Sequence, residues 1–501
     1  MMNEFIPLMV IIPIVCAILL NLLHGFNKTI KYLSFIVAIL IPLIPLLANF
    51  GLHIFGGHVP LIDNSVIYNA NLNQLSSLSS QILTSFHPGI VYSFGVLQKI
   101  LIFFFGIVCF LAIFNYISQN KKVSGPYLFL IFMGIASIIA LILTDDIFHM
   151  YIFFEISALA QVGVILVSKV KNNYEIALKY LFLGSIGGPI MLIGIGFLLG
   201  LVGSVNIADI ILAIKSGFVD PLSPAFLLSF VLIFFGWVYS VGLPPFHTIK
   251  SSVYSKALPD GSAILQAFTV LTFISIGLII LRIFAPINLL NPLIIIFSLV
   301  GMVLSLIMAL MQDDFRRAIG FLAVGEIGYI GLGFGIATPL SISAGLFQGI
   351  NELLISALLF IAFGAILLIT KTSKISKLGG LIAYHPKFAI FVLIAGLALA
   401  GVPPLNGFAS KLLLVQSALA AGLGELAVLM IIISIVTFVV FVNIFHSIFL
   451  KPKPKDLDVS NKIIPRSTIF SVLIILIICI ILGIFPDIIV NPISSYVGGL
   501  F

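Results

Sequence analysis

Val241-Gly242-Leu243-Pro244-Pro245-Phe246-His247 interrupts a long apolar run, and Gly401-Val402-Pro403-Pro404-Leu405 interrupts another later in the chain, each followed by a polar run that contains lysine. A proline pair inside a helix removes backbone hydrogen bonds. Unsatisfied backbone at membrane depth is tolerated only where protein buries it or where it lines a wet cavity. Two broken helices at matching places in two halves mark a transporter built from structural repeats, with its ion path at the breaks.

The composition around these breaks is that of a membrane protein. Of 501 residues, 61% are apolar and 8% charged, where a soluble domain carries about a quarter charged residues. Runs of about 20 apolar residues, enough to cross a ~30 Å hydrocarbon layer, recur along the whole chain. Spanning helices are expected at 5–23, 31–54, 90–118, 126–144, 147–168, 174–201, 225–254, 261–285, 292–312, 318–337, 341–369, 387–419, 425–450 and 468–491. The first run lacks a basic leader and a small-residue cleavage site, so it reads as a spanning helix and not a signal peptide. The segment 55–89, rich in Asn, Ser and Gly, is expected outside the membrane as a cap or hairpin without chemistry. Cys16, Cys109 and Cys479 lie singly inside apolar runs. They fit neither a disulfide framework nor a metal site and read as small buried residues.

The net charge of +7 is explained by its placement. Lys28, Lys31, Lys121, Lys122, Lys169, Lys171, Lys250, Lys256, Arg316, Arg317, Lys371, Lys374, Lys377, Lys387, Lys451, Lys453, Lys455, Lys462 and Arg466 fall in alternate loops. Lys99, Lys215 and Arg282 fall on the opposite side, and Lys179 and Lys411 within the membrane. The positive-inside rule then places the larger set in the cytoplasm and both termini outside. Basic residues facing the cytoplasm call for no nucleic acid.

A charge at the bilayer centre costs about 2.5–3.5 kcal/mol, so one that persists there faces the protein interior and takes part in ion movement. Glu155 lies nine residues after Asp146, about 14 Å along a helix and near mid-depth. Lys179, Glu326, Glu352 and Lys411 are the other candidates for ion translocation. For each, the bland alternative is a side chain that reaches an interface, or a neutral hydrogen-bonded acid. Buried acids and lysines can exchange protons with water near neutral pH, and neighbouring pairs titrate together. Gln348, Glu352 and Ser356 share one helix face and suggest a polar channel wall. His247 is either a titrating switch or a cap for carbonyls freed by the first break.

These residues resemble the antiporter-like subunits shared by respiratory complex I, membrane-bound hydrogenases and Mrp-type sodium/proton antiporters. Five stretches within residues 90–450 carry the resemblance. They run from Tyr151 to Leu159, from Ala177 to Ser185, from Leu243 to His247, from Asp314 to Ile319 with Gly328-Tyr329, and from Gly401 to Lys411. The resemblance implies an all-α integral membrane protein of about fourteen helices, with two inverted five-helix repeats whose seventh and twelfth helices are broken. The implied divisions are a three-helix N-terminal segment with its external loop (1–125), a first repeat (126–285), a second repeat (292–450), and a basic cytoplasmic loop with a C-terminal helix (451–501).

The departures from the family pattern are specific. Where the family places a lysine before the first break, as partner to the fifth-helix glutamate, this chain has Ser240. The eighth-helix lysine or histidine position falls among the uncharged residues Gln266 to Ile274. The eleventh-helix His, His and Lys correspond to Gln348, Glu352 and Ser356, and a tenth-helix glutamine to Glu326. Without the usual lysine, Lys179 is the obvious counter-charge for Glu155. Lys250 reads either as a cytoplasmic lysine or as a stand-in for the missing partner. The ion path is therefore expected to be asymmetric, and more polar across helices ten to twelve.

The leading expectation is a proton- or sodium-translocating subunit of a multisubunit energy-converting complex in the cell membrane. It would have no catalytic, metal or cofactor centre of its own, and its partners would be other membrane subunits, antiporter-like homologues among them, together with membrane lipid. The alternatives are a structural subunit that links pumping modules and a stand-alone solute transporter.

Overall fold

A computed structural model describes residues 6–49, 91–168, 173–457, 459 and 463–499. The segment 55–89, expected as an external cap, lies outside the described residues. Among these residues the chain forms eighteen α-helices and a few short helical turns. They are α1 Ile6–Leu22, α2 Asn27–Asn49, α3 Val96–Gln119, α4 Gly125–Leu143, α5 Ile147–Val167, α6 Asn173–Val202, α7 Ile207–Lys215, α8 Pro224–Val241 and α9 His247–Lys256. There follow α10 Pro259–Ile283, α11 Leu290–Leu310, α12 Phe315–Ile336, α13 Pro339–Thr370, α14 Pro386–Ala400, α15 Asn406–Ala420, α16 Gly424–Phe445, α17 Arg466–Ile484 and α18 Asp487–Gly498.

Among the described residues, twelve helices are long and apolar enough to span a membrane. Two more spans come from α1 and from α14 continued by α15, which gives the fourteen expected from the sequence. Two helices were not anticipated: α7, a short amphipathic segment, and α18, which turns away from α17 at Pro486 and divides the expected 468–491 helix. Starts are marked by conventional caps. Asp146 accepts from His149 N at the start of α5, Asp314 from Arg316 N and Arg317 N at α12, and Thr338 exchanges bonds with Ser341 at α13. Each satisfies donors that the first helical turn leaves unpaired.

Both breaks are built the same way. Gly242 ends α8 at φ +77°, with Gly242 N donating to Tyr239 O and Leu243 N to Val238 O. Gly401 ends α14 at φ +74°, with Gly401 N donating to Ala398 O and Val402 N to Leu397 O. This left-handed glycine cap satisfies the last carbonyls, and the proline pair behind it cannot continue the helix. Chain direction then resumes as α9 and α15. The expected 225–254 and 387–419 helices are thus each two helices with an irregular link.

Helices α10 and α12 are almost wholly enclosed. Outward apolar rows cover the perimeter: Phe182, Ile186 and Ile193 on α6, Ile296, Val300, Val303 and Ile307 on α11, and Val428, Ile432, Ile435 and Val439 on α16. Rows of this kind, exposed at helical spacing, suit contact with lipid tails. A polar staple ties three helices together near one end of the bundle. Asn115 on α3 donates to Asp260 on α10 at 2.7 Å and accepts from Ser467 and Thr468 on α17, both at 3.0 Å.

Candidate functional site

Behind the second break, four buried side chains from three helices meet. Lys411, Glu326, Gln348 and Glu352 are 6, 3, 1 and 0% exposed. Lys411 on α15 lies 2.8 Å from Glu326 Oε1 on α12 and donates to Leu399 O, a carbonyl in the last turn before the break, at 2.7 Å. Its Nζ also sits 4.5 Å above the Tyr329 ring. The missing Cβ of Gly401 makes room for the lysine stem, since a Cβ there would lie 3.0 Å from Lys411 Cδ. Gln348 on α13 donates to Glu326 Oε2 at 2.9 Å and accepts from Ser410 Oγ at 2.6 Å.

One turn along α13, Glu352 accepts from Gln266 Nε2 on α10 at 3.1 Å and from Ser356 Oγ on its own helix. Glu352 Oε2 and Gln266 Oε1 are buried without a protein partner. Two acids and one lysine therefore lie buried in the same part of the interior, Glu326 bonded to Lys411 and Gln348, and Glu352 to Gln266 and Ser356. Glu326 is held by a cation on one oxygen and an amide on the other. A proton moved from Lys411 to Glu326 converts an ion pair into a neutral pair while the same hydrogen bond persists, and such neighbouring sites change charge together. Neither Glu326 nor Glu352 faces lipid.

The first break holds a second group. Lys250 on α9 is 3% exposed and donates to Tyr180 OH on α6 at 2.9 Å and to Gln161 Oε1 on α5 at 3.2 Å. Of the two readings of Lys250, the structure excludes the cytoplasmic one: the restart of the chain after the break carries it inward against Gly242, where a Cβ would lie 2.6 Å from Lys250 Cγ. Ser240, at the family's lysine position, spends its hydroxyl on Trp237 O at 2.7 Å. Glu155 points across to α6, where a Cβ on Gly188 would collide with its Oε1. That oxygen, Tyr239 OH and His247 Nδ1 are buried without a protein partner.

Lys179 is not the counter-charge of Glu155. It pairs with Glu175 one turn back on α6, and both side chains are largely exposed, 64 and 60%. A lysine early in a 30-residue helix can keep its head at the interface, and the i,i+4 acid provides its partner. Gln161 was not singled out from the sequence, and Tyr180, Gln266, Tyr329 and Ser410 were met only within the family stretches or at the eighth-helix position, without a role. Beyond that, each shows no more than a hydrogen-bonding group within an apolar run, which many structural positions share.

A family model described as NADH:quinone oxidoreductase/Mrp antiporter, transmembrane, matches residues 144–438, a stretch that holds both breaks and all of these charges. The chain belongs to this family. Its relatives include an uncharacterized protein of Methanocaldococcus jannaschii, 33% identical over 98% of each chain. A Na+/H+ antiporter subunit of Alkalihalophilus pseudofirmus is 30% identical over 65% of this chain and 66% of its own. Among solved structures, a chain of the Mrp complex from Dietzia superposes with a TM-score of 0.85 at 18% identity, covering 100% of this chain and 98% of that one. A chain of a membrane-bound sulfane sulfur reductase, described as an archaeal respiratory membrane complex, superposes at 0.83 with 23% identity, over 99% of this chain and 98% of that one. The fold is that of the antiporter-like subunits, and this family member is a multi-pass membrane protein.

Proposed function

We propose that this chain conducts protons or sodium ions across the membrane as an antiporter-like subunit of a larger energy-converting complex, of the Mrp, hydrogenase, quinone-reductase or sulfur-reductase type. One observation carries the proposal: Lys411, Glu326 and Glu352, from three helices, are buried together beside a helix break, the first two as an ion pair and Glu352 within electrostatic reach of both. Charges this deep are costly, and three together are retained for ion movement more readily than for packing. The Na+/H+ antiporter and respiratory relatives support the same reading. Residues 126–285 and 292–450 act as the two transport halves, each with one break, and neighbouring membrane subunits cover part of the perimeter. Cytoplasmic basic loops and external termini follow from the alternation of lysine and arginine.

The test uses membrane vesicles that contain the complete complex. An imposed pH or sodium gradient is followed with a pH-sensitive dye and with radioactive sodium. Glu326→Gln and Glu352→Gln should each lower ion flux about a hundredfold, the low end of what a positioned proton-transfer group contributes, with assembly unchanged. Wild-type flux in both variants would leave the chain a structural subunit that links pumping modules.

A further inference from the structure

Lys250 and Lys411 occupy equivalent settings at the two breaks, and the difference between them is informative. Each follows a Gly-x-Pro-Pro link, packs its stem on the left-handed glycine that caps the preceding helix, and holds its ammonium over a tyrosine ring, at 4.9 Å for Tyr180 and 4.5 Å for Tyr329. Lys411 is paired with a carboxylate. Lys250 makes no ion pair among the described residues and is held only by Tyr180 OH and Gln161 Oε1.

The hydroxyl is the important part of this cage. Tyr180 OH is 3.2 Å from Gln161 Oε1 as well as 2.9 Å from Lys250 Nζ, so three polar groups form a closed triangle. With Lys250 as an ammonium, Nζ donates to the tyrosine and glutamine oxygens, and the tyrosine proton points at Gln161. With Lys250 as a neutral amine, the tyrosine proton rotates to donate to the nitrogen lone pair, and an amine N–H still donates to Gln161. A tyrosine hydroxyl both donates and accepts, and its proton can flip between the two orientations in the plane of the ring. The cage thus satisfies both protonation states without moving a heavy atom.

We infer that Lys250, seated in the Tyr180–Gln161 cage, is the proton carrier of the first half of the molecule and alternates between ammonium and amine as protons pass the first break. The step balances simply: a proton arriving from one side binds the amine, and the ammonium later releases one proton to the other side. No covalent bond to carbon changes and no redox partner is needed.

The surroundings fit a carrier that is not locked into one state. On α5, Glu155 lies within electrostatic reach of Tyr180, as do Tyr239 on α8 and Tyr254 on α9. On the other elements packed against α9, Glu175 pairs with Lys179 on α6, Asp260 of α10 with Asn115 and Arg282 of α10 with Asp145, while on α12 Glu326 pairs with Lys411, Arg316 donates to the carbonyls of Tyr254 and Ala257, and Arg317 lies over the Phe321 ring. Helix α11 carries no titratable residue. His247 begins α9 itself, and Lys256 lies at its far end.

This inference rests on the ion-conducting reading, and Lys411→Met measured alongside keeps the two apart. In vesicles carrying the complete complex, Lys250→Met should lower proton flux about a hundredfold. Lys250→Arg should lower it equally, because a guanidinium stays protonated and cannot act as a carrier. Tyr180→Phe keeps the ring and removes only the hydroxyl, so flux should fall and its pH profile should shift while assembly is unchanged. Wild-type flux in Lys250→Met, or an unaltered profile in Tyr180→Phe, would overturn the inference. Wild-type flux in Lys250→Arg would reduce Lys250 to a fixed counter-charge. If Lys411→Met also conducts normally, the fault lies with the ion-conducting reading itself.

Discussion

The Lys411–Glu326 pair allows a quantitative test of what the buried network does for the fold as opposed to transport. At the observed 2.8 Å, two unit charges attract by about 6 kcal/mol at an effective dielectric of ~20, and most of this offsets the loss of hydration. Removing one partner leaves the other charge uncompensated and costs about 3–5 kcal/mol. Lys411→Met and Glu326→Gln should each be destabilised by that amount, because the stranded group keeps only uncharged partners among the described residues: Gln348 for Glu326, and Leu399 O and the Tyr329 ring for Lys411. For 501 residues, at ~2.1 cal/mol/K of unfolding entropy each, this corresponds to roughly 3–5 °C in Tm. The double variant strands no charge and keeps the amide contact to Gln348, so it should recover at least half of the loss. The assay is thermal unfolding of the purified chain in detergent, read as a double-mutant cycle, with flux measured in parallel. All three variants should fail to conduct. A double variant no more stable than the worse single one would refute a buried, charged pair.

Glu155→Gln keeps size and hydrogen-bonding capacity and removes titration, so assembly should survive and ion flux should fall; Gly188→Ala should act similarly through Glu155, since the new Cβ displaces the end of a flexible side chain and not backbone. Normal flux in Glu155→Gln would show that the residue serves packing alone. Gly483→Ala on α17 should be destabilised by about 1–3 kcal/mol, because its Cβ would collide with Pro404 O in the second break; unchanged thermal stability would show that the break is not clamped by α17.

Much of the architecture was legible because hydrocarbon imposes strict rules. A span needs about 20 apolar residues and an internally satisfied backbone, so the number of spans and the two Gly-x-Pro-Pro breaks could be read directly. Glu326, Glu352 and Lys411 were legible for the same reason, as charges in apolar runs on helices now seen to be buried. Lys179 was read as a buried counter-charge and lies exposed, whereas Lys250 was left between a cytoplasmic and an interior reading and lies buried. Both lie near the end of a helix, where a four-carbon stem can reach water or interior alike. Depth along the chain does not say which way such a side chain turns.

The sequence by itself determined that this is an all-helical membrane protein, where its two main helices break, and which few charges are too costly to be incidental. The tertiary structure alone decided which of those charges meet. Contact between Lys411 and Glu326, or between Lys250, Tyr180 and Gln161, depends on how separate helices rotate and pack, and on the direction in which the chain restarts after each proline pair. Those are properties of three-dimensional packing, and one-dimensional spacing does not encode them in readable form.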